Sequence, residues 1–517
     1  MAPAGARFRV WLRFLAISDL VATGWLRPVG STPLESFIKP IRNRAESVEL
    51  YFWEIDDMAK QAGKRKNGAK ADATVGLPPL NLHAAGIDVG SAEHYVAVPP
   101  DRDAEPVRKF GSFTADLHRM ARWLKDCRIK TVVMQSTGVY WMALYDVLES
   151  HGLEVNVANA RHTKTLPGRK TDVQECQWLQ KLHTFGLLNN SFRPTEEIRT
   201  LRGYLRQREN LVAAAATCIQ HMQKALTEMN IQLANVISDI SGATGLAILC
   251  DIVRGERDPY KLAMNKHSRI RASRQEIARS LEGTWRRELL FVLEQSLDLY
   301  QTYQQKIQTC DERIDGQLRS MEPRIDPMSE PAPEPRRGKD ARGHQSGFDL
   351  RGQLYRVTGV DLTRIDGIDV QNAQTIVSEV GVDMSRWKTE KHFASWLGLC
   401  PDNRTSGGKV LKRGTRHVVN RASTALRLAA WALLRSQSAL GAKFRRLRSK
   451  LGAPKAITAM AHMLARLVYR MLKFGHDYVD RGTQFYEAKY QHQRLQRITK
   501  QAAALNMQLI PLTRVVS

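Results

Sequence analysis

Two apolar runs, Ala84-Ala-Gly-Ile-Asp-Val-Gly90 and Thr131-Val-Val-Met134, decide the fold of this 517-residue chain. Each run is short and gives way to glycine or polar residues, which is typical of a buried strand that ends at a ligand-contacting loop. Two or three adjacent strands followed by strand–helix alternation predict a mixed α/β sheet. The remaining elements of this sheet are expected as strands at 94–98, near 109–110 and at 153–157, and as helices at 113–127 and 141–150.

The rest of the chain is predicted to be mainly helical. Residues 196–230 and 285–318 carry apolar side chains every three or four positions, which predicts long amphipathic helices that build a dimerising coiled coil. A polar region with few helices is expected between them, near 238–268. The predicted organisation is a basic extension and linker (1–83), an α/β domain (84–192), a helical coiled-coil region (193–321), a Pro/Gly-rich linker (322–353), a mainly α C-terminal domain (354–490) and a basic tail (491–517).

The charge of the chain is concentrated at its C-terminal end. Lys and Arg number 78 against 52 Asp and Glu, a net charge of +26. Residues 401–517 contribute 23 basic and four acidic residues, which is +19 of that total. Such a field attracts a polyanion, and nucleic acid is favoured over an anionic membrane surface. The six cysteines form no CxxC pair and no run of 18 apolar residues occurs, so neither a disulfide framework nor a spanning helix is expected.

Three carboxylates form the first candidate site. Asp88 ends an apolar strand, and Asp172 and Glu175 lie three residues apart at a predicted helix start, so that both face one side. Carboxylates that meet across a small sheet can hold Mg²⁺ for phosphodiester chemistry, and Gln135 at the end of the second strand could add an amide oxygen. The alternative is structural, with Asp88 in a turn and the other two favoured by the helix dipole.

A serine between small residues and cations forms the second candidate site. Ser406 lies in Arg404-Thr-Ser-Gly-Gly-Lys409, where its hydroxyl could attack a phosphodiester while cations stabilise the developing charge. The alternative is a glycine turn that only binds phosphate. The residues expected to contact nucleic acid are Thr137, Lys170, Arg404, Lys409, Lys412, Arg413, Arg416, Arg445, Arg446 and Arg448.

Four motifs in order carry a resemblance to a known family. They are Ala-Gly-Ile-Asp88-Val-Gly, Met-Gln135-Ser-Thr-Gly-Val-Tyr-Trp141, Pro-Gly-Arg-Lys-Thr-Asp172-Val-Gln-Glu175 and Trp396-Leu-Gly-Leu-Cys-Pro401 followed by Ser406-Gly-Gly-Lys. Together they resemble the DEDD transposases of insertion sequences of the 110/1111 type, over residues 84–490. The extension 1–83 and the linker 322–353 are not typical of that family.

The resemblance implies a fold, a chemistry and partners. The domain at 84–192 should be RuvC-like, with an RNase H type fold that binds Mg²⁺, and the C-terminal domain should supply Ser406 as a nucleophile that links covalently to DNA. Family members are tetramers, dimers of dimers, that combine the acidic cluster of one subunit with the serine domain of another. They are guided by a non-coding bridge RNA that pairs with donor and target DNA, and they act in the bacterial cytoplasm at the nucleoid, without a membrane.

Two of the matched positions depart from the family. Asp88 and Asp172 match the first and third carboxylates, whereas the second position, usually Glu, is Gln135 and the fourth, usually Asp, is Glu175. Gln135 removes one negative charge, which should weaken metal affinity. Two further hypotheses therefore stay open beside the RNA-guided transposase. One is a metal-only junction nuclease without a serine step, and the other is a catalytically weakened transposase derivative that binds nucleic acid.

Overall fold

The computed structural model describes residues 78–136, 138–159, 171–334, 347–475 and 482–509. Within these residues the chain divides into two compact units, one that covers 78–193 and one that covers 194–509. Most of the predicted N-terminal extension, and residues 335–346 of the predicted linker, lie outside the described residues.

A mixed five-stranded sheet organises the first unit, as predicted, and it is consistent with a RuvC-like α/β domain. The strand order is β3-β2-β1-β4-β5, in which β1, β4 and β5 run parallel and β2 and β3 run antiparallel to their neighbours. The strands are β1 (Ala84–Val89), β2 (Glu93–Ala97), β3 (Val107–Gly111), β4 (Thr131–Gln135) and β5 (Glu154–Ala158). The helices of this unit are α1 (Thr114–Asp126), α2 (Trp141–Ser150) and α3 (Asp172–Thr184).

The two faces of the sheet carry different helices. Side chains alternate along a strand, so Ala85, Ile87 and Val89 of β1 point to the face where the main core of the unit lies, with α1 and α2. Helix α3 covers the opposite face, where its Leu179 packs against Val133 of β4. Residues at even positions of β1 and odd positions of β4 therefore face α3.

Gly86 lets α3 approach the sheet at backbone distance. A Cβ atom built on Gly86 would lie 2.2 Å from the backbone nitrogen of Gln180 and 2.4 Å from the backbone oxygen of Cys176. Both atoms belong to the backbone of α3, so no side-chain rotation could make room. A glycine is thus required for α3 to lie directly on β1.

Two long antiparallel helices begin the second unit, as the apolar spacing predicted. Helix α4 (Glu196–Glu228) packs against α9 (Arg287–Ser320), and the buried carboxylate of Asp311 accepts a 2.6 Å hydrogen bond from Arg208 across this pair. The helices pack within one chain, and the dimerising coiled coil stays a prediction.

The segment between these helices, residues 231–286, is called the connecting module here. It holds α5 (Leu233–Val236), α6 (Ala243–Val253), α7 (Pro259–Ala263) and α8 (Arg274–Ser280), so the expectation of a helix-poor region near 238–268 was wrong. Helix α6 is short and almost wholly apolar, and it therefore shows no amphipathic periodicity. Its Ile248, Leu249 and Ile252 are buried in one core with residues of α4 and α9.

The C-terminal part of the second unit is mainly α-helical, as predicted. Its only described strands form the hairpin β6 (Arg404–Ser406) and β7 (Lys409–Lys412). The helices are α10 (Leu350–Thr358), α11 (Val370–Val380), α12 (Glu390–Trp396), α13 (Arg421–Ala432), α14 (Ala439–Leu451), α15 (Ala453–Phe474) and α16 (Gly482–Ala504), with 3₁₀ turns at Leu362–Arg364 and Leu433–Arg435.

Helix α4 is bonded to this C-terminal helical part. Arg202 donates hydrogen bonds of 3.2 and 2.9 Å to the backbone oxygens of Ser378 and Glu379 at the end of α11, and Arg206 donates 3.0 Å to the Glu379 carboxylate. Glu379 is buried, so these bonds offset the cost of placing its charge away from water.

None of the described helices combines the length and the apolar character that a bilayer-spanning segment requires.

Replacement of Gly86 by Ala tests the contact between α3 and β1. We expect Gly86→Ala to lower the free energy of unfolding by about 1–3 kcal/mol or more, because a methyl group would overlap two backbone atoms of α3. The measurement is chemical denaturation followed by circular dichroism. Gly203→Ala in α4 is the matched control, since its Cβ meets open space. Equal stability of Gly86→Ala and the parent protein would contradict the backbone contact.

Candidate active site

Asp88 and Gln135 lie at the carboxyl ends of two adjacent parallel strands. The register pairs Ile87 with Met134, and its continuation by one residue places Asp88 beside Gln135. Both side chains point to the face that α3 covers. Asp88 is partly buried and Gln135 is buried, so both lie in a low-dielectric environment that strengthens electrostatic interactions.

Asp172 and Glu175 lie in the first turn of α3. Thr171 caps this helix through a capping box, in which its hydroxyl accepts from the Gln174 backbone nitrogen at 3.3 Å while the Gln174 side chain accepts from the Thr171 nitrogen. The cap fixes where the helix begins, and the close contact at Gly86 fixes where it lies on the sheet. Together they bring this turn toward the end of β1.

The electrostatics of Asp88 indicate that the charges of Asp172 and Glu175 act on it. Burial, and to a smaller extent the negative charges of Glu175 and Asp172, raise the pKa of Asp88 from 3.8 to about 6, whereas a hydrogen bond from the Val89 backbone lowers it. A carboxylate whose pKa is raised by its neighbours lies in a region of negative potential. Such a region attracts a cation.

Cys176 lies beside the candidate acidic residues as a buried thiol. Burial raises the pKa of its thiol to about 12, and its sulfur donates to the Val173 backbone oxygen at 3.1 Å. A neutral buried thiol is neither a nucleophile nor a good metal ligand. The residue that sequence reasoning missed is Gly86, whose signal was its position two residues before Asp88 in an otherwise apolar strand.

The donor set fits Mg²⁺ in its chemistry. All four candidate ligands offer oxygen, which the hard Mg²⁺ ion prefers, and the raised pKa of Asp88 reflects burial first and nearby negative charge second. Within the described residues no three Asp, Glu, His or Cys side chains are close enough together to hold an ion as they stand. Mg²⁺ usually retains several water ligands and takes only one or two carboxylates from a protein, so a closed protein cage is not required.

Ser406 lies at the turn of the β6–β7 hairpin. Ser406 pairs with Lys409, which leaves Gly407 and Gly408 as a two-residue loop. Both glycines have positive φ, 53° and 76°, the requirement of a type I′ turn that matches the twist of the strands. The whole hairpin is exposed, and no hydrogen bond engages the Ser406 hydroxyl within the part of the chain that the structure describes.

The predicted cations of the hairpin surround this serine. Lys409 is the direct cross-strand neighbour of Ser406, at a Cβ separation of about 5 Å for such pairs. Arg404 pairs with Lys412 at the open end, and all three side chains are exposed. Arg416 follows the hairpin and donates a 2.7 Å hydrogen bond to the Ser395 backbone oxygen, which anchors the chain at the hairpin base.

The remaining predicted nucleic-acid contacts differ in their environment. Arg446 forms an ion pair with Glu487 and lies 3.3 Å from the ring centre of Tyr490, so it holds α16 against α14. Arg445 donates 2.6 Å to the Ser436 backbone oxygen, whereas Arg448 is exposed. Thr137 and Lys170 lie outside the described residues.

Comparison with known families bears on both candidate sites. Residues 85–231 match the model of the IS110-type DEDD transposases, described as a transposase, and residues 361–445 match one described as "Transposase IS116/IS110/IS902 family". Among curated proteins none matches the chain. The first stretch contains Asp88, Gln135, Asp172 and Glu175, and the second contains Ser406.

The raised pKa of Asp88 predicts an unusual effect of pH on stability. A carboxyl group with a raised pKa costs stability once it ionises, so the cost is absent near pH 3.8 and complete above about pH 6. Without metal at pH 7.5, Asp88→Asn should therefore raise the free energy of unfolding by about 1–2 kcal/mol after allowance for solvent screening. The measurement is urea denaturation at pH 4 and pH 7.5.

The control for this comparison is Asp126→Asn, which removes an exposed carboxylate from the end of α1. Added Mg²⁺ should stabilise the parent protein at pH 7.5 and leave Asp88→Asn unchanged, since only the parent keeps the full acidic site. If Asp88→Asn is no more stable than the parent protein at pH 7.5 without metal, the destabilising charge assigned to Asp88 is refuted.

Proposed function

Because the chain belongs to the IS110 type of DEDD transposases, enzymes that act on DNA, we propose that it cuts and rejoins DNA with a Mg²⁺-binding acidic cluster and a serine nucleophile. The observation that carries the proposal is the pKa of Asp88, which burial first and the negative charges of Glu175 and Asp172 second raise to about 6. Structural carboxylates are ordinarily placed where their pKa falls, through ion pairs or hydrogen bonds. Asp88, in contrast, is buried where Glu175 and Asp172 repel its charge.

The acidic cluster would supply the electrostatic part of the reaction. Asp88, Asp172, Glu175 and the amide oxygen of Gln135 would hold Mg²⁺, which stabilises negative charge on the phosphate oxygens when it is bound. The rigid strands β1 and β4 orient Asp88 and Gln135, and the capped first turn of α3 orients the other two. Preorganised charges of this kind need little rearrangement during the reaction.

Ser406 would supply the covalent part. Its Oγ attacks the phosphorus of a DNA phosphodiester, so that an Oγ–P bond forms while one P–O bond to a deoxyribose breaks. The serine hydroxyl gives up its proton, and the departing deoxyribose oxygen takes one up. Attack by a deoxyribose hydroxyl on the serine ester reverses these changes and rejoins DNA. The exposed turn gives a bulky duplex access to the hydroxyl, and Lys409 lies beside it to stabilise charge.

The proposal extends to the guide and the assembly. A non-coding bridge RNA would select donor and target DNA by base pairing, which leaves the protein to bind backbone and shape. The charge of +19 in residues 401–517 supports binding of nucleic acid of either kind. A dimer of dimers would combine the acidic cluster of one subunit with Ser406 of another, in the bacterial cytoplasm at the nucleoid.

Covalent trapping tests the serine step. Ser406→Ala should abolish the protein–DNA adduct and lower strand exchange by about 10³-fold or more, because no other group replaces the nucleophile. The measurement is denaturing electrophoresis of labelled element DNA with the full chain and its RNA. The matched control is Thr405→Ala, which removes the neighbouring exposed hydroxyl of the same strand and should retain the adduct.

The same experiment separates the alternatives. If the parent protein cleaves DNA without forming an adduct, and Ser406→Ala still cleaves, the metal-only nuclease is favoured. Binding without cleavage by the parent protein would favour the weakened derivative. An adduct that persists in Ser406→Ala would refute the assignment of the nucleophile.

Gln135→Glu tests the amide at the second position of the cluster. A fourth carboxylate should lower the Mg²⁺ concentration for half-maximal cleavage by about tenfold, since affinity for hard cations rises with ligand charge. A Mg²⁺ titration of the cleavage rate is the measurement. Gln177→Glu adds the same charge on the exposed face of α3 and serves as control. Equal responses of the two variants would show that Gln135 does not ligate.

A further inference from the structure

The connecting module carries a basic segment that the proposed chemistry does not use. The first family match ends at residue 231 and the second begins at residue 361, so all of the module after its first residue lies outside both. Residues 259–275 contain five basic residues and no Asp or Glu. These five are Lys261, Lys266, Arg269, Arg271 and Arg274.

The loop that holds most of these cations, residues 264–273, is fixed to the module. The buried Thr244 hydroxyl donates to the Asn265 backbone oxygen at 3.2 Å and accepts from the His267 backbone nitrogen at 3.1 Å. The Asn265 side chain donates to the Asp251 carboxylate at 2.8 Å. Three bonds to α6 thus hold the loop in one conformation.

The loop places its apolar and basic side chains on opposite sides. Ile270 and Ala272 pack against the core shared with α4 and α9. Arg269 and Arg271 alternate with them and are exposed, as is Arg274 at the start of α8. Two of the three guanidinium groups are therefore carried outward by a backbone that the core holds in place.

Pairing distinguishes these three arginines from three other exposed cations of the module. Arg254, Lys261 and Arg286 form ion pairs with Asp251, Glu256 and Glu288 respectively. In the portion of the chain that the structure describes, no acidic side chain pairs with Arg269, Arg271 or Arg274. Their charge is available to a ligand, whereas that of the first three is largely neutralised.

We propose that Arg269, Arg271 and Arg274 form a docking surface for the sugar-phosphate backbone of a nucleic acid. The inference deepens the proposed function and rests on it for the presence of nucleic acid. Guanidinium groups match phosphate oxygens in geometry, and a loop already held in place loses little conformational entropy when it binds. Contacts of this kind orient a helix without reading its sequence.

A charge-matched pair of variants tests the surface. The test variant combines Arg269→Ala, Arg271→Ala and Arg274→Ala, and the control combines Arg254→Ala, Lys261→Ala and Arg286→Ala. Each loses three positive charges, but only the first loses unpaired ones. Both are made in the full chain with Ser406→Ala and without divalent cation, so that no cleavage contributes. Thermal melts confirm that both remain folded.

Fluorescence anisotropy at several salt concentrations is the readout, with a DNA duplex, an RNA duplex of equal length and anionic lipid vesicles as probes. At about 0.1 M salt the test variant should bind duplex at least about tenfold more weakly than the parent. The magnitude of the slope of log K against log salt should fall by about 2 to 3. The control should change the slope by less than about 1.

The arms identify the source of the phosphate. If the test variant loses affinity for the DNA duplex alone, the surface binds DNA, and if it loses affinity for the RNA duplex alone, the surface binds RNA. If it loses affinity for both, the surface accepts either helix. The proposal would be overturned if the slope of log K against log salt did not change in the test variant. It would also be overturned if the control variant lost as much affinity for duplex, or if the test variant lost affinity for the vesicles alone. Failure of the serine step would show in the adduct assay and would leave these binding data unaffected.

Discussion

The contact of α3 with Gly86 is the constraint on which the acidic site depends. Without a side chain at this position, the backbone of α3 lies directly on β1, and a methyl group would be 2.2 Å from its nearest atom. Because the helix is also capped at Thr171, its first turn has a defined place along the strand. The burial of Asp88 and its repulsion by Glu175 and Asp172 are consequences of that placement.

The two halves of the proposed chemistry rest on different kinds of support. Asp88 and Gln135 are held by a parallel sheet with cores on both faces, which fixes their backbone through many packed neighbours. Ser406 lies in a hairpin whose residues are all exposed, next to a two-glycine turn. The candidate acidic residues therefore have a rigid support, whereas the candidate nucleophile is accessible to solvent.

The sequence predicted the strands, the long helices and the candidate carboxylates because each leaves a local pattern. The run 131–134 holds three consecutive apolar residues after Thr131, and α4 and α9 carry apolar residues at helical spacing. Other features depend on contacts distant in sequence. The role of Gly86 becomes visible only once α3 lies on it, and the Arg446–Glu487 pair joins two separate helices. Helix α6 was missed because it is too short and too apolar to show a period.

Helix α4 belongs to two packing groups at once. Its 33 residues span about 50 Å as one continuous helix. Its first half is bonded through Arg202 to the end of α11, and farther along Arg208 joins it to Asp311 of α9. A displacement of the connecting module is therefore carried along one continuous helix to the end of α11.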